Sequence, residues 1–141
     1  MKNNTLLTKV ILDDLMKMLQ CKQNRICSFI GVTPNTLSAN AKKPFSAIRK
    51  KKTGKRLLSL LYVVGELSKD KSLVPSTIIH VITSSRYRYE NKHVNVVTGI
   101  TLEFQNEFLL EIAKSVLADL RKHDVQREQP APSLYEMACS A

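Results

Sequence analysis

Lys22-Gln23-Asn24-Arg25-Ile26-Cys27-Ser28-Phe29-Ile30-Gly31-Val32-Thr33-Pro34-Asn35-Thr36-Leu37-Ser38-Ala39-Asn40-Ala41 runs directly into Lys42-Lys43-Pro44-Phe45-Ser46-Ala47-Ile48-Arg49-Lys50-Lys51-Lys52-Thr53-Gly54-Lys55-Arg56. The reading of this stretch decides the fold. Gly31 stands where two short helices cross, because a residue without Cβ takes a positive φ at no steric cost. Thr33 then predicts an N-cap whose hydroxyl accepts a backbone N–H. Pro34 falls on the first helical position, where a missing N–H costs nothing. Ile26, Cys27 and Ile30 share one face of the first helix, and Val32, Leu37 and Ala41 supply the complementary face. Two helices this short bury too little apolar surface alone, so a third must cover them.

The side left outward holds Asn35, Thr36, Ser38, Ala39, Lys42 and Lys43. Small polar and basic groups on a helix suit the base edges and phosphates of a major groove. The pattern resembles the helix-turn-helix (HTH) of phage Cro and Xre-type repressors. Those proteins carry a small residue four positions before the turn glycine, apolar residues on either side of it and an aliphatic residue six after it. Here Cys27, Ile30, Gly31, Val32 and Leu37 fill these places, and Thr33 to Ser38 looks like the start of the family's recognition helix. Cysteine where alanine is usual, and Asn40 where an apolar residue is common, depart from the pattern. The likeness spans residues 15 to 45. It implies a sequence-specific double-stranded DNA-binding protein, a transcriptional repressor acting as a homodimer. It also implies the alternative of an antitoxin whose C-terminal half binds a toxin partner.

Charge supports a polyanionic partner. The chain carries a net +10, and residues 42–56 hold eight basic side chains and no acidic one. Such a block repels itself unless an anion neutralises it. The expected base contacts are therefore Thr33, Asn35, Thr36, Ser38 and Lys42. The expected phosphate contacts are Gln23, Arg25, Lys43, Arg49, Lys50, Lys51, Lys52, Lys55 and Arg56. A protein-interaction module, with the cations serving as a generic nucleic-acid contact or merely a solvated face, is the reading to test against this one.

The rest of the chain reads as mainly α. A length of 141 residues fits one domain with a sizeable core. We expect it over 1–124, with the HTH at 22–43, a central helix at 54–67, a C-terminal helix at 101–123 and a flexible tail at 125–141. Leu6, Leu7, Val10, Ile11, Leu15, Met18 and Leu19 recur at helical spacing, with Asn4 or Thr5 as cap, and predict a first helix roofing the HTH. Leu57, Leu58, Leu60, Leu61, Val63, Val64 and Leu67 are apolar nearly all round, as in a central helix. Pro75-Ser76 favours a helix start, although the β-branched run after it suits a strand equally.

Arg86 to Val97 alternates on both sides of Asn91 and predicts a β-hairpin. Its Arg and Tyr pairs fit either a nucleic-acid wing or packing. In the last helix Phe104 and Phe108 widen the apolar face and hint at dimerisation. Three cysteines, an odd number, and no apolar run of membrane length point to a cytoplasmic protein without a membrane partner. His80, His93 and His123 show no ligand or catalytic spacing, and no phosphate loop or nucleophile motif occurs. We expect no cofactor, no metal and no enzymatic activity.

Overall fold

The computed structural model describes residues 6–128, and of 123–128 the backbone alone. In chain order the elements are α1 (Thr8–Leu19), α2 (Gln23–Ile30), α3 (Pro34–Ala41), α4 (Phe45–Ile48), α5 (Lys52–Ser68), α6 (Pro75–Thr83), β1 (Tyr87–Tyr89), β2 (Lys92–Val94), α7 (Val96–Thr101) and α8 (Asn106–Glu128). The fold is mainly helical, with one small two-stranded antiparallel hairpin.

Helix α5 is the hub. Leu57, Leu60, Val63, Val64 and Leu67 are buried along it, and it touches α1, α2, α4, α6, α7 and α8. Each side chain of that kind contributes roughly 1.5–3 kcal/mol when fully buried. The helix begins at Lys52, two residues before the expected start. Its first turn lies so close to α4 that a Cβ on Gly54 would overlap the Ile48 carbonyl. Glycine is needed there for space.

Helix α1 buries Ile11, Leu12, Leu15 and Leu19, with Met18 half-buried. It starts at Thr8, later than the sequence pattern predicts, and its N-cap is Leu7. The expected caps Asn4 and Thr5 lie outside the described residues. Leu6 and Leu7 are extended: Thr8 N–H donates to the Lys43 carbonyl (3.0 Å) and Phe45 N–H to the Leu6 carbonyl (2.8 Å). This bridge holds Leu6 and Leu7 ahead of the helix in exposed positions, and Val10, within the first turn of α1, is exposed as well. The bridge also ties the start of the basic segment to α1.

The Pro75 segment is helical. The hairpin is shorter than expected, pairing Tyr87 with Val94, Arg88 with His93 and Tyr89 with Lys92. Its two turn residues, Glu90 and Asn91, both have positive φ (48° and 65°), the pattern of a type I′ turn. Asn95 ends the second arm because its side chain caps α7, accepting from Thr98 N–H at 2.7 Å. Val96 and Val97 are therefore helical and not in a strand. Tyr87 and Tyr89 turn inward onto Phe104 and Phe108, with ring centroids 5.3–5.9 Å apart. The aromatic surface of Phe104 and Phe108, which hinted at dimerisation, is thus packed in part on the chain's own hairpin.

The expected 101–123 helix starts only at Asn106, and of the residues before that Thr101 alone is helical, as the last residue of α7. Thr101 ends α7; Glu103 then takes a left-handed φ of 58°, and Phe104 N–H donates back to the Gly99 carbonyl at 3.0 Å. That closure forces a reversal before Asn106. Leu102, in the connection, is 60% exposed. Leu109, Ile112, Ala113, Val116 and Leu117 are buried along α8, which continues to Glu128, past the expected start of the tail. The remaining tail residues, 129–141, lie outside the described residues.

Candidate nucleic-acid interface

The crossing of α2 and α3 is built by local chemistry. Gly31 closes α2 in the left-handed region (φ 68°, ψ 40°), and Val32 N–H returns to the Cys27 carbonyl at 3.1 Å. Thr33 is extended, and its Oγ1 accepts from Thr36 N–H at 3.2 Å, with Pro34 at the first helical position. Ile26, Cys27, Phe29 and Ile30 form the buried wall of α2. Phe29 belongs to the same i, i+3, i+4 series as Ile26 and Ile30, so its burial is also signalled by helical spacing.

Leu37 is the sole buried residue of α3; Asn35, Thr36, Ser38 and Ala39 are exposed. Gln23 Nε2 donates to Ser38 Oγ at 3.0 Å and so joins the first turn of α2 to the middle of α3. Hydrogen bonding sorts the expected base-contact residues. Thr33 Oγ1 accepts from Thr36 N–H and donates to Thr36 Oγ1 at 2.8 Å, so its hydroxyl is committed to the cap. Thr36 and Ser38 each keep a hydroxyl proton to donate. Asn35 has no hydrogen-bond partner among the described residues, which leaves its carboxamide fully available. Lys42 ends the helix in an exposed position.

The cationic segment is held by its apolar members. Phe45 and Ile48 are buried, while Lys42, Lys43, Arg49, Lys50, Lys51 and Lys52 are exposed. None of these six makes an ion pair among the described residues. Lys51 is the N-cap of α5, whose first turn holds no acidic residue and no side-chain cap. The free N–H groups and the positive end of the helix dipole there add to the charge of the lysines. An anion would satisfy all three. At the start of α2, Arg25 lies over the Phe29 ring at 5.6 Å with its charge exposed. Lys55 is exposed and stands 3.8 Å from Glu103.

Arg56 corrects the sequence reading. It is 7% exposed and withdrawn from any surface a duplex would touch. Its Nη1 donates to the Ile30 carbonyl (2.9 Å) and the Gly31 carbonyl (3.4 Å), and its Nη2 to the Thr101 carbonyl (3.1 Å). The guanidinium thus sits at the C-terminal ends of α2 and α7, where both helix dipoles favour a cation.

Other candidate chemistry is sparse. Burial pushes the thiols of Cys21 and Cys27 up from their ordinary value, which disfavours the reactive thiolate. Cys139 lies outside the described residues. No group of His, Cys, Asp and Glu that could hold a metal ion occurs among the described residues, and none of their helices is long and apolar enough to cross a membrane. The hairpin tyrosines pack inward, which leaves Arg88, Lys92 and His93 as its outward basic groups. Arg86 is instead engaged with Asp119 at 2.7 Å. Comparison with protein families, curated proteins and solved structures gives no match to this chain.

Proposed function

We propose that the chain is a sequence-specific double-stranded DNA-binding regulator, a repressor acting as a homodimer, with α3 as its reading helix. The observation that carries this is α3 itself: one buried anchor, Leu37, and an outward surface of small polar groups beside six exposed, unpaired cations. A helix of that description fits the major groove in width and in hydrogen-bonding capacity. In this reading Asn35 bonds an adenine edge through both atoms of its carboxamide. Thr36, Ser38 and Lys42 reach neighbouring bases, while Thr33 serves α3 as its cap. Gln23, Arg25, Lys43, Arg49, Lys50, Lys51, Lys52 and Lys55 hold phosphates, the lysines aided by the open N-terminus of α5. Single HTH units bind weakly, and pairing two copies onto half-sites about 34 Å apart supplies affinity and register. The exposed apolar side chains Leu6, Leu7 and Val10 give a second copy a surface to cover.

Selection from a random duplex pool tests the reading. Enrichment of a twofold-symmetric sequence is expected. Affinity for it should fall about a thousandfold or more between about 50 and 200 mM salt, as for six or more neutralised phosphates. Steep salt dependence without enrichment would mean a nonspecific nucleic-acid binder. Flat salt dependence would mean a module that binds protein alone, such as an antitoxin.

A further inference from the structure

Arg56 is a buried cation without a counter-ion. Its three hydrogen bonds go to carbonyls, and no carboxylate pairs with it among the described residues. A guanidinium has five N–H donors. The bonds to Ile30, Gly31 and Thr101 use three; one Nη2 hydrogen and the buried Nε–H remain, and Nε has no partner among the described residues.

A cavity of about 360 Å3 lies beside this residue, between the first half of α5 and the α7–α8 connection. That volume is at the small end of the roughly 300–1,000 Å3 typical of ligand pockets. Arg56, Lys55, Ser59, Asn106, Glu103 and Phe104 form most of its wall. Ser59 Oγ donates to Asn106 Oδ1 at 2.9 Å, which fixes the carboxamide and leaves its NH2 group as a donor. Lys55 Nζ is held by Glu103 at only 3.8 Å. Three donor groups, two of them cationic, therefore face one carboxylate, with the Phe104 ring as an apolar wall.

We infer that this cavity binds a small molecule carrying a carboxylate or phosphate group. The anion adds the formal negative charge that the carbonyls and helix dipoles around Arg56 do not supply, and desolvation strengthens the contact. The remaining Arg56 Nη2 hydrogen donates to its oxygens, Lys55 turns from Glu103 to the ligand, and the Asn106 amide donates a further bond. Because the same guanidinium holds the Ile30 and Gly31 carbonyls, an occupied site stiffens the crossing of α2 and α3. Binding itself is independent of the DNA reading; only this last consequence rests on it.

The test is a nitrogen-edited NMR titration of the full chain with sodium phosphate and, separately, sodium citrate, at constant ionic strength against chloride. Saturable shifts at the Arg56 Nε–H and the Asn106 side-chain amide are expected from at least one of the two probes, and which one saturates identifies the anion. Lys55→Ala and Asn106→Ala should each weaken that binding about tenfold, the size of one charge-assisted hydrogen bond. Glu103→Asn keeps a residue that tolerates the left-handed backbone and removes the opposing carboxylate, so it should tighten binding several-fold. The inference is overturned if neither probe saturates, if saturable shifts are confined to Lys50–Lys52, or if Glu103→Asn weakens binding. Saturation at Arg56 in a chain that ignores every duplex would leave the site standing and refute only the DNA reading.

Discussion

The two helix ends that Arg56 joins solve the same problem with different residues. Helix α2 closes through Gly31 at φ 68°, and the α7–α8 connection closes through Glu103 at φ 58°. Glycine adopts that conformation freely, whereas a residue with a Cβ carries a strain of roughly 1–2 kcal/mol. The side that feeds α3 is relaxed and capped. The side that carries the aromatic hairpin and the cavity is strained, and its geometry is held by packing and by the Phe104 N–H bond to Gly99. Helix α3 is thus mounted on a turn with no stored strain, and the strain sits at Glu103, two residues past the Thr101 carbonyl that Arg56 holds.

The largest expected effect breaks both ends at once. Arg56→Met removes the donors of three carbonyls and should destabilise the fold by about 3–5 kcal/mol, as for loss of a buried charged partner. Urea unfolding measures it. A cost under about 1 kcal/mol would mean that the carbonyls find other partners and that the two ends are not coupled. Gly31→Ala comes next, at about 1–2 kcal/mol for the left-handed backbone. Its new Cβ would also stand 3.1 Å from Thr101 Cγ2 and 3.2 Å from Arg56 Nη1. Glu103→Gly should have the opposite sign, a gain of about 1 kcal/mol, since the Lys55 contact it gives up is exposed and loose. Equal signs for the two glycine exchanges, measured by the same unfolding experiment, would erase the contrast between the ends.

The smallest effect lies away from both ends. Hydrogen bonds from the Ser72 side chain, then from Arg121, hold the Asp70 carboxyl down to about 2 from its ordinary 3.8. A carboxylate with a lowered folded-state pKa adds stability above its unfolded value and loses it as pH falls. That contribution should be complete above about pH 5 and fade between pH 4 and 2. Asp70→Asn should remove this part of the acid dependence and leave the Arg56 couplings untouched. An unchanged acid limb would refute the pairing with Ser72 and Arg121.

What the sequence showed and what it hid divide along the same line. Gly31, Thr33 and Pro34 act on backbone within three residues, so their roles were legible before any coordinates. The outward surface of α3 followed from Leu37 and helical spacing alone. Arg56 was misread because a cation inside a basic run looks like its neighbours. Its burial is decided by carbonyls 25, 26 and 45 residues away. The break after Thr101 was invisible for a related reason. Leu102, Leu109 and Ile112 keep a helical spacing through it, and the closure depends on how Gly99 and Phe104 meet. Leu6, Leu7 and Val10 obeyed the apolar period yet are exposed: the bridge to Pro44 holds the first two off α1 before the helix starts, and Val10 lies on the outer side of the helix. Within the candidate interface, the exposed cations and Asn35 were readable as surface chemistry, while the donation of the Thr33 hydroxyl proton to Thr36 Oγ1 needed coordinates.

In the proposed function the outward face of α3 reads base sequence while the cations beside it hold phosphate. Fluorescence-anisotropy titration of the enriched duplex and of a scrambled one tests it most directly, with Asn35→Ala and the Lys50→Ala, Lys51→Ala, Lys52→Ala triple variant. Asn35→Ala should cost roughly 1–3 kcal/mol on the enriched duplex alone. The triple variant should weaken both duplexes equally and lower the salt slope by about three units. Equal loss on both duplexes from Asn35→Ala, or loss on only one from the triple variant, would contradict it.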